Sequence, residues 1–364
     1  MSSSNQFIDP DKPFNGLPLL PPVTDLEDIE ILKKVNRANI ALSRLNGASL
    51  AVPNRELLLE PLSVREAVAS SGIENINTTV SEVFQAELFP IAEASEPQKE
   101  TMHYKQALLF GNGYVRKNGF IASNSIIEIQ SILEPEKPGI RRLPGTKIAD
   151  QVTGKIYYTP PEGEDLIRSL LKNFDDYFND TTTDVDPLIR NAVLHYQFEA
   201  IHRFYDGNGR TGRILMVLQL VLAGRLDLPI LFISGFINEH RSEYYSLLSG
   251  VTFSKAWKPW ILYVLSAIES QALSTAHTID KMLELRNRIE PRMRQIKPSM
   301  PVKEIIEYLF SNPFYSRGKM SSALSVHSNS SLKYLNALES VSVVQSFTHK
   351  REKIFFMKDF LELL

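Results

Sequence analysis

Residues 202–213, HRFYDGNGRTGR, put one histidine, one aspartate, three glycines and three arginines within twelve positions. Glycines at 207 and 209 let exposed backbone N–H groups curl into an anion-binding nest, and a helix starting near Arg210 adds its positive N-terminal end. Arg210 and Arg213 lie one turn apart and can face the same ligand. A nest, a helix terminus and two arginines suit a polyphosphate. The carboxylate of Asp206 is unfavourable beside phosphate unless a cation intervenes, and Mg²⁺ held by one carboxylate plus phosphate oxygens is the usual arrangement. His202, just ahead, can accept a proton near neutral pH. Together these are the parts of a phosphoryl- or nucleotidyl-transfer site.

A rival reading comes from GNGRTG, which satisfies the G-x-G-x-x-G spacing of a dinucleotide-binding turn. That fingerprint needs a buried strand ahead of its first glycine. Here the preceding segment carries Ala192, Val193, Tyr196, Ala200 and Ile201 at helical spacing. Asp227 lies 20 residues after Gly207, where a ribose-binding acid would fall, so an NAD enzyme stays as the weaker alternative. No kinase-type strand lysine and no H-R-D segment accompany the glycines.

The elements that must position these groups read as mostly helical. A helix over DLEDIEILKKVNRANIALSRLNG is expected to start with Asp25 as N-cap and to stop at Asn46-Gly47. Helices follow over 61–76 and 97–135, the latter broken near Asn118-Gly119. Two short β-leaning runs predict a hairpin at 146–159, after which helical patterns resume and run to about residue 296. Beyond Pro298 and Pro301, three short helical segments and a two-stranded wing around the basic tip HKREK (349–353) suggest a winged-helix module. The expected division is therefore an N-terminal helical segment (1–95), a catalytic core (96–296) and a winged-helix-like module (297–364). With 364 residues, 40 basic against 42 acidic side chains and no cysteine, the chain excludes disulfides, thiolate chemistry and an overall electrostatic footprint for nucleic acid. Its cleanest apolar run, ILMVLQLVLAG from Ile214, is shorter than the roughly 20 residues that cross a bilayer, and the start lacks a signal-peptide pattern. A cytoplasmic location is expected.

The twelve residues closely resemble the signature of the Fic family, H-[PX]-F-X-[DE]-G-N-G-R-X-X-R, at all eight defined positions: His202, Phe204, Asp206, Gly207, Asn208, Gly209, Arg210 and Arg213. What the resemblance implies is transfer of AMP from ATP to a protein hydroxyl, with pyrophosphate leaving. His202 would then be the base, Asp206 would hold Mg²⁺, and Asn208 with the amides around Gly207 and Gly209 would cradle phosphates. Arg210 would assist there, Arg213 would hold the γ-phosphate, and Phe204 would anchor the loop in the core. Arg203 stands where many members carry proline, and Gly209 where kinase-like relatives carry lysine, which favours nucleotidyl transfer over phosphorylation.

SSGIEN (70–75) resembles the family's inhibitory motif [ST]-x-x-x-E-[GN]. By that likeness, Ser70 and Glu74 form an N-terminal inhibitory helix whose glutamate pairs with Arg213 and fills the γ-phosphate's space; such a pair is charge-assisted and planar. The hairpin would be the family's flap, which registers an extended target by strand pairing. Tyr244 aligns with an aromatic that stacks near adenine in relatives, while the neighbouring asparagine of those relatives falls on Thr252. His195 and Glu199 read as packed helix residues. The expectation is a mainly α Fic-type core that uses Mg²⁺ and ATP, acts on a protein substrate that could include itself, and forms a homo-oligomer. Two other readings stay open: removal of AMP at the same site, and a winged-helix regulator binding DNA.

Overall fold

The computed structural model describes residues 8–149, 154–296 and 300–364. In chain order its helices and strands are α1 (Ile29–Leu50), α2 (Leu59–Ile73), α3 (Val80–Ala86), α4 (Glu96–Asn118), α5 (Ser123–Leu133), β1 (Ile148–Ala149), β2 (Ile156–Tyr158), α6 (Glu164–Phe178), α7 (Pro187–Ile201), α8 (Asn208–Leu222), α9 (Ile233–Glu239) and α10 (Arg241–Ser254). They continue as α11 (Trp257–Ile296), α12 (Val302–Ser311), β3 (Phe314–Tyr315), α13 (Arg317–Ala323), α14 (Ser328–Ser340), β4 (Gln345–His349), β5 (Glu352–Phe356) and α15 (Lys358–Leu361). The mainly helical class expected from the sequence is what is observed.

Local chemistry sets several boundaries. The carboxylate of Asp28, rather than Asp25, accepts the N–H groups of Glu30 and Ile31, both at 2.9 Å, and so starts α1. The helix also runs through Asn46-Gly47, because the fully buried Leu45 and Ser49 continue its packed face and tertiary packing overrides the weak propensity. The side chain of Asp186 caps the N–H of Leu188 at 2.8 Å, and Pro187 fills the first turn of α7, where its missing N–H costs nothing.

Two compact units form, each from separated stretches. The first takes the described parts of Met1–Leu42, Gln106–Pro229 and Ile233–Ser270, and the second those of Ser43–Lys105, Ile230–Phe232 and Gln271–Leu364. They cross the boundaries at 95 and 296 that chain order suggested.

In the first unit α7 is the central element: every residue from Leu188 to Ile201 is buried. A helix buried on all faces is a core helix. It lies tightly against α8 because Gly212 has no Cβ, which would stand 2.2 Å from Glu199 Oε1 and 3.1 Å from Phe198 Cδ1. Ile126 and Ile129 of α5 and Leu170, Phe174 and Phe178 of α6 complete this core. β1 and β2 pair antiparallel, Ile148 opposite Tyr158, and the Tyr158 hydroxyl donates to the carbonyl of Ala200 at 3.0 Å. The turn of the expected hairpin, residues 150–153, lies outside the described residues.

In the second unit β4 and β5 form the expected wing, and β3 joins it to give an antiparallel sheet in the order β3-β5-β4. The third strand escapes a two-strand reading because Phe314 and Tyr315 form a two-residue, fully inward-facing element with no alternation. Phe314 and Ile354 share a core with Val64, Val83, Phe84 and Met102, so α2 and the C-terminal sheet belong to one packed body. The basic tip is tied down: Lys350 pairs with Glu93, and Lys353 with Glu339 at 2.6 Å. Among the described residues no helix is long and apolar enough to cross a membrane.

Candidate functional site

The site begins where α7 stops. His202 takes the left-handed conformation, φ 46°, while its N–H still bonds to the carbonyl of Phe198 at 3.1 Å, so the helix ends there and the chain turns into a short loop. Asn208 closes that loop: its Oδ1 accepts the Phe204 N–H and its Nδ2 donates to the Phe204 carbonyl, both at 2.9 Å. The Phe204 side chain is fully buried, its ring 6.3 Å from that of Phe198.

A second clamp comes from the segment before β1. Ile140 bridges to Phe204, and the Arg141 N–H donates to the Arg203 carbonyl at 2.9 Å. The buried Arg141 guanidinium donates to the carbonyls of His202 at 2.7 Å, Ile201 at 3.3 Å and Pro161. Two carbonyls at the end of α7 and one from the segment before α6 thereby find one donor group, and the half-buried His202 is fixed by its main chain.

The loop's acid lies one turn further on. Asp206 Oδ1 accepts the Gly207 N–H at 2.8 Å, and Oδ2 accepts from Lys137 Nζ at 2.9 Å. Burial works to raise the Asp206 carboxyl, but Lys137, the Gly207 N–H and Arg210 together bring it below its usual value, so it is held as a carboxylate. Gly207 caps α8 with φ 75°, a conformation that glycine adopts without steric cost. Arg210 is almost wholly buried and pairs with Glu134. Gly209 is half-buried between Asn208 and Arg210 in the first turn of α8, and Arg213, 1% exposed, follows one turn after Arg210.

His202, Phe204, Asp206, Gly207, Asn208, Gly209, Arg210 and Arg213 therefore sit on one continuous loop and helix start, with α8 beginning at Asn208 rather than near Arg210. Tyr244 lies in the core beside α7. It is 2% exposed, its hydroxyl bonds to His195 Nε2 at 2.9 Å, and its ring lies 5.7 Å from Trp260, while the adjacent Tyr245 is 44% exposed. Burial, with the Arg213 charge adding, lowers His195 to about 3, so its ring stays neutral. Thr252 bonds to the Tyr196 hydroxyl at 3.1 Å. Arg203 is fully buried, its guanidinium over Phe198 and Phe204 at 5.2 and 4.6 Å; burial lowers it to about 9, against the opposing Asp175.

Ser70 and Glu74 belong to the second unit. Ser70 is fully buried in α2, and Glu74 is the first residue past that helix, its N–H bonded to the Ser71 carbonyl at 3.0 Å before Asn75 turns left-handed at φ 63°. The sequence reading missed Gln130, Glu134, Lys137 and Arg141, which brace the loop from 60 or more residues away. The only signal was the charged, proline-flanked run EPEKPGIRR next to the expected hairpin.

The model of the Fic/DOC family N-terminal matches residues 32–112, and the Fic/DOC family model matches residues 120–220. Protein adenylyltransferase fic-1 of Caenorhabditis elegans is 33% identical over 124 residues, 32% of this chain and 22% of that protein. Protein adenylyltransferase Fic of Nematostella vectensis is 34% identical over 131 residues, 35% of this chain and 26% of that protein. The chain thus spans about a quarter of the length of these curated relatives. Among solved structures, a Fic family protein from Desulfovibrio desulfuricans G20 superposes with a TM-score of 0.59 at 18% identity, covering 93% of this chain and 98% of that one. A fragment of C. elegans Fic-1 gives 0.53 at 24% identity, covering 69% and 73%. Both share its fold. With the two family models matched in tandem, one of them over the loop and helix start just described, the chain belongs to the Fic/DOC family.

Proposed function

We propose that this protein is an adenylyltransferase that moves AMP from ATP to a hydroxyl group of a protein. The observation that carries the reading is the composite loop. An imidazole stands at its start, an ionised carboxylate four residues on, and a helix N-terminus with two buried arginines directly behind. The names of the relatives, protein adenylyltransferases, support it.

His202 takes the proton of the target hydroxyl as that oxygen bonds to the α-phosphorus. The bond from that phosphorus to the bridging oxygen breaks, and pyrophosphate leaves. Arg141, by fixing the carbonyls of the two peptides that flank His202, holds the imidazole in one place for this transfer. The α8 N-terminus and Arg210 receive the negative phosphate oxygens.

The donor set fits Mg²⁺ brought in with the nucleotide. Asp206 supplies one half-exposed carboxylate, and among the described residues no cluster of three or more acidic or histidine ligands is present. Bound there, Mg²⁺ would neutralise charge on the departing pyrophosphate. The paired strands β1 and β2 offer an edge for an extended target segment.

Glu74 acts in this reading as an internal brake. The support is the SSGIEN motif. Mass spectrometry of the full chain and a general protein mixture after incubation with Mg²⁺ and ATP tests both parts. AMP is expected on hydroxyl side chains, more in Glu74→Gly than in the parent chain. No adduct in either protein overturns the transferase reading; equal adduct in both overturns the brake.

A further inference from the structure

The turn after α5 carries Glu134, Glu136 and Lys137, and the first and last of these meet the loop. Glu134 pairs with Arg210, and its Cγ and Oε1 lie 3.0 and 3.8 Å from where a Cβ on Gly207 would stand, so this carboxylate is packed against the residue that caps α8. Three residues on, Lys137 Nζ lies 2.9 Å from Asp206 Oδ2. The turn itself is anchored. The Lys137 N–H donates to the Glu134 carbonyl at 3.1 Å, and the fully buried Gln130 donates to the carbonyls of Lys137 and Asp206 at 3.0 and 3.2 Å. Gln130 Oε1 also accepts the Gly139 N–H at 3.0 Å.

An anion thus rests on the loop's arginine and a cation on its aspartate, which is the charge pattern of a cation–phosphate ligand. We propose that Glu134 and Lys137 are an electrostatic placeholder for that ligand: Glu134 holds the phosphate-side contact of Arg210, Lys137 holds the cation-side contact of Asp206, and binding exchanges both ion pairs. The inference rests on the reading of this loop as a Mg²⁺·nucleotide site. It makes Glu134 and Lys137 positioning residues that keep the empty loop neutral and set how strongly the nucleotide and its cation depend on one another. The two pairs differ in weight. Lys137–Asp206 has side chains 57% and 44% exposed and is solvent-screened, whereas Arg210 and Glu134 are 3% and 15% exposed. Removing Glu134 takes away the nearer counter-charge of the buried Arg210 guanidinium and leaves the Asp206 carboxylate 4.0 Å away, so an incoming anion is held more strongly.

The test is calorimetric titration of the full chain with ATP, with and without Mg²⁺, plus Mn²⁺ binding followed by electron paramagnetic resonance at fixed ATP. Glu134→Gln is expected to tighten metal-free ATP about tenfold. Lys137→Met is expected to increase about threefold the factor by which Mn²⁺ tightens ATP, and Lys137→Arg to match the parent. Metal-free affinity unchanged or weakened in Glu134→Gln overturns the proposal, as does an unchanged or smaller Mn²⁺ factor in Lys137→Met. If Glu134→Gln fails to fold, the surface Lys137 variants decide alone. A parent chain that binds no Mg²⁺·ATP refutes the underlying site reading; a parent that binds it with unaltered variants refutes only the placeholder.

Discussion

Asn208 is the residue whose side chain does most to shape the loop, because its amide satisfies both backbone groups of Phe204 in a buried setting. Its replacement by alanine leaves a buried N–H and a buried carbonyl unpaired, a cost of about 1–3 kcal/mol. Asn208→Ala is therefore expected to lower stability to chemical denaturation by that amount and to weaken ATP binding. Unchanged stability in Asn208→Ala would show that the clasp carries no load. The motif residues were legible in the sequence because they are consecutive and chemically dense. The bracing role of Asn208 was not, since its partners are main-chain groups that any sequence has. Lys137 was invisible for another reason: it meets Asp206 from 69 positions away, and no spacing rule links a turn after one helix to a loop two helices later.

At the scale of elements, α7 and α8 approach as closely as Gly212 allows. A methyl group there would stand 2.2 Å from Glu199 Oε1 and 3.3 Å from His195 Cε1. Gly212→Ala is expected to destabilise the fold by about 1–3 kcal/mol through overpacking, read as a lower denaturation midpoint at an unchanged slope; a midpoint equal to the parent's would refute the close approach. His195, between the same helices and α10, sets a pH response. Its pKa falls from 6.5 to about 3 in the folded state, so as pH drops below 6.5 the unfolded chain takes up a proton that the folded chain refuses. Stability from this group is full above pH 6.5 and declines toward pH 3. The thermal midpoint is expected to fall less steeply over this window in His195→Gln than in the parent; parallel slopes would show that His195 is not the source. The periodicity of α7 was legible because its apolar residues recur at helical spacing. The tight crossing was not, since GNGRTG offered its third glycine equally to a phosphate turn. The packing of Tyr244 against Trp260 was not legible either, since an aromatic at a matching position looks the same in sequence whatever surrounds it.

For the whole molecule, chain order is a poor guide to what folds together. α2, which carries Ser70, shares its core with the C-terminal sheet more than 200 residues later, through Val64, Phe314 and Ile354. A reading along the chain sees a composition change near Pro298 and Pro301 and places a boundary there; it has no access to pairings closed across such a distance. The basic wing tip, suggestive of nucleic acid in isolation, is paired with Glu93 and Glu339 within the same unit. The central claim is that the loop from His202 to Arg213 transfers the α-phosphoryl end of ATP as AMP, and the most direct measurement follows the fate of label from ATP carrying it on either the α- or the γ-phosphate. With Mg²⁺ and the full chain, α-label is expected to remain on protein through denaturation while γ-label is released in pyrophosphate. His202→Ala is expected to reduce the α-label rate by about 10²–10⁴-fold without unfolding the protein. Retention of γ-label, or α-label transfer at the parent rate in His202→Ala, would contradict the account.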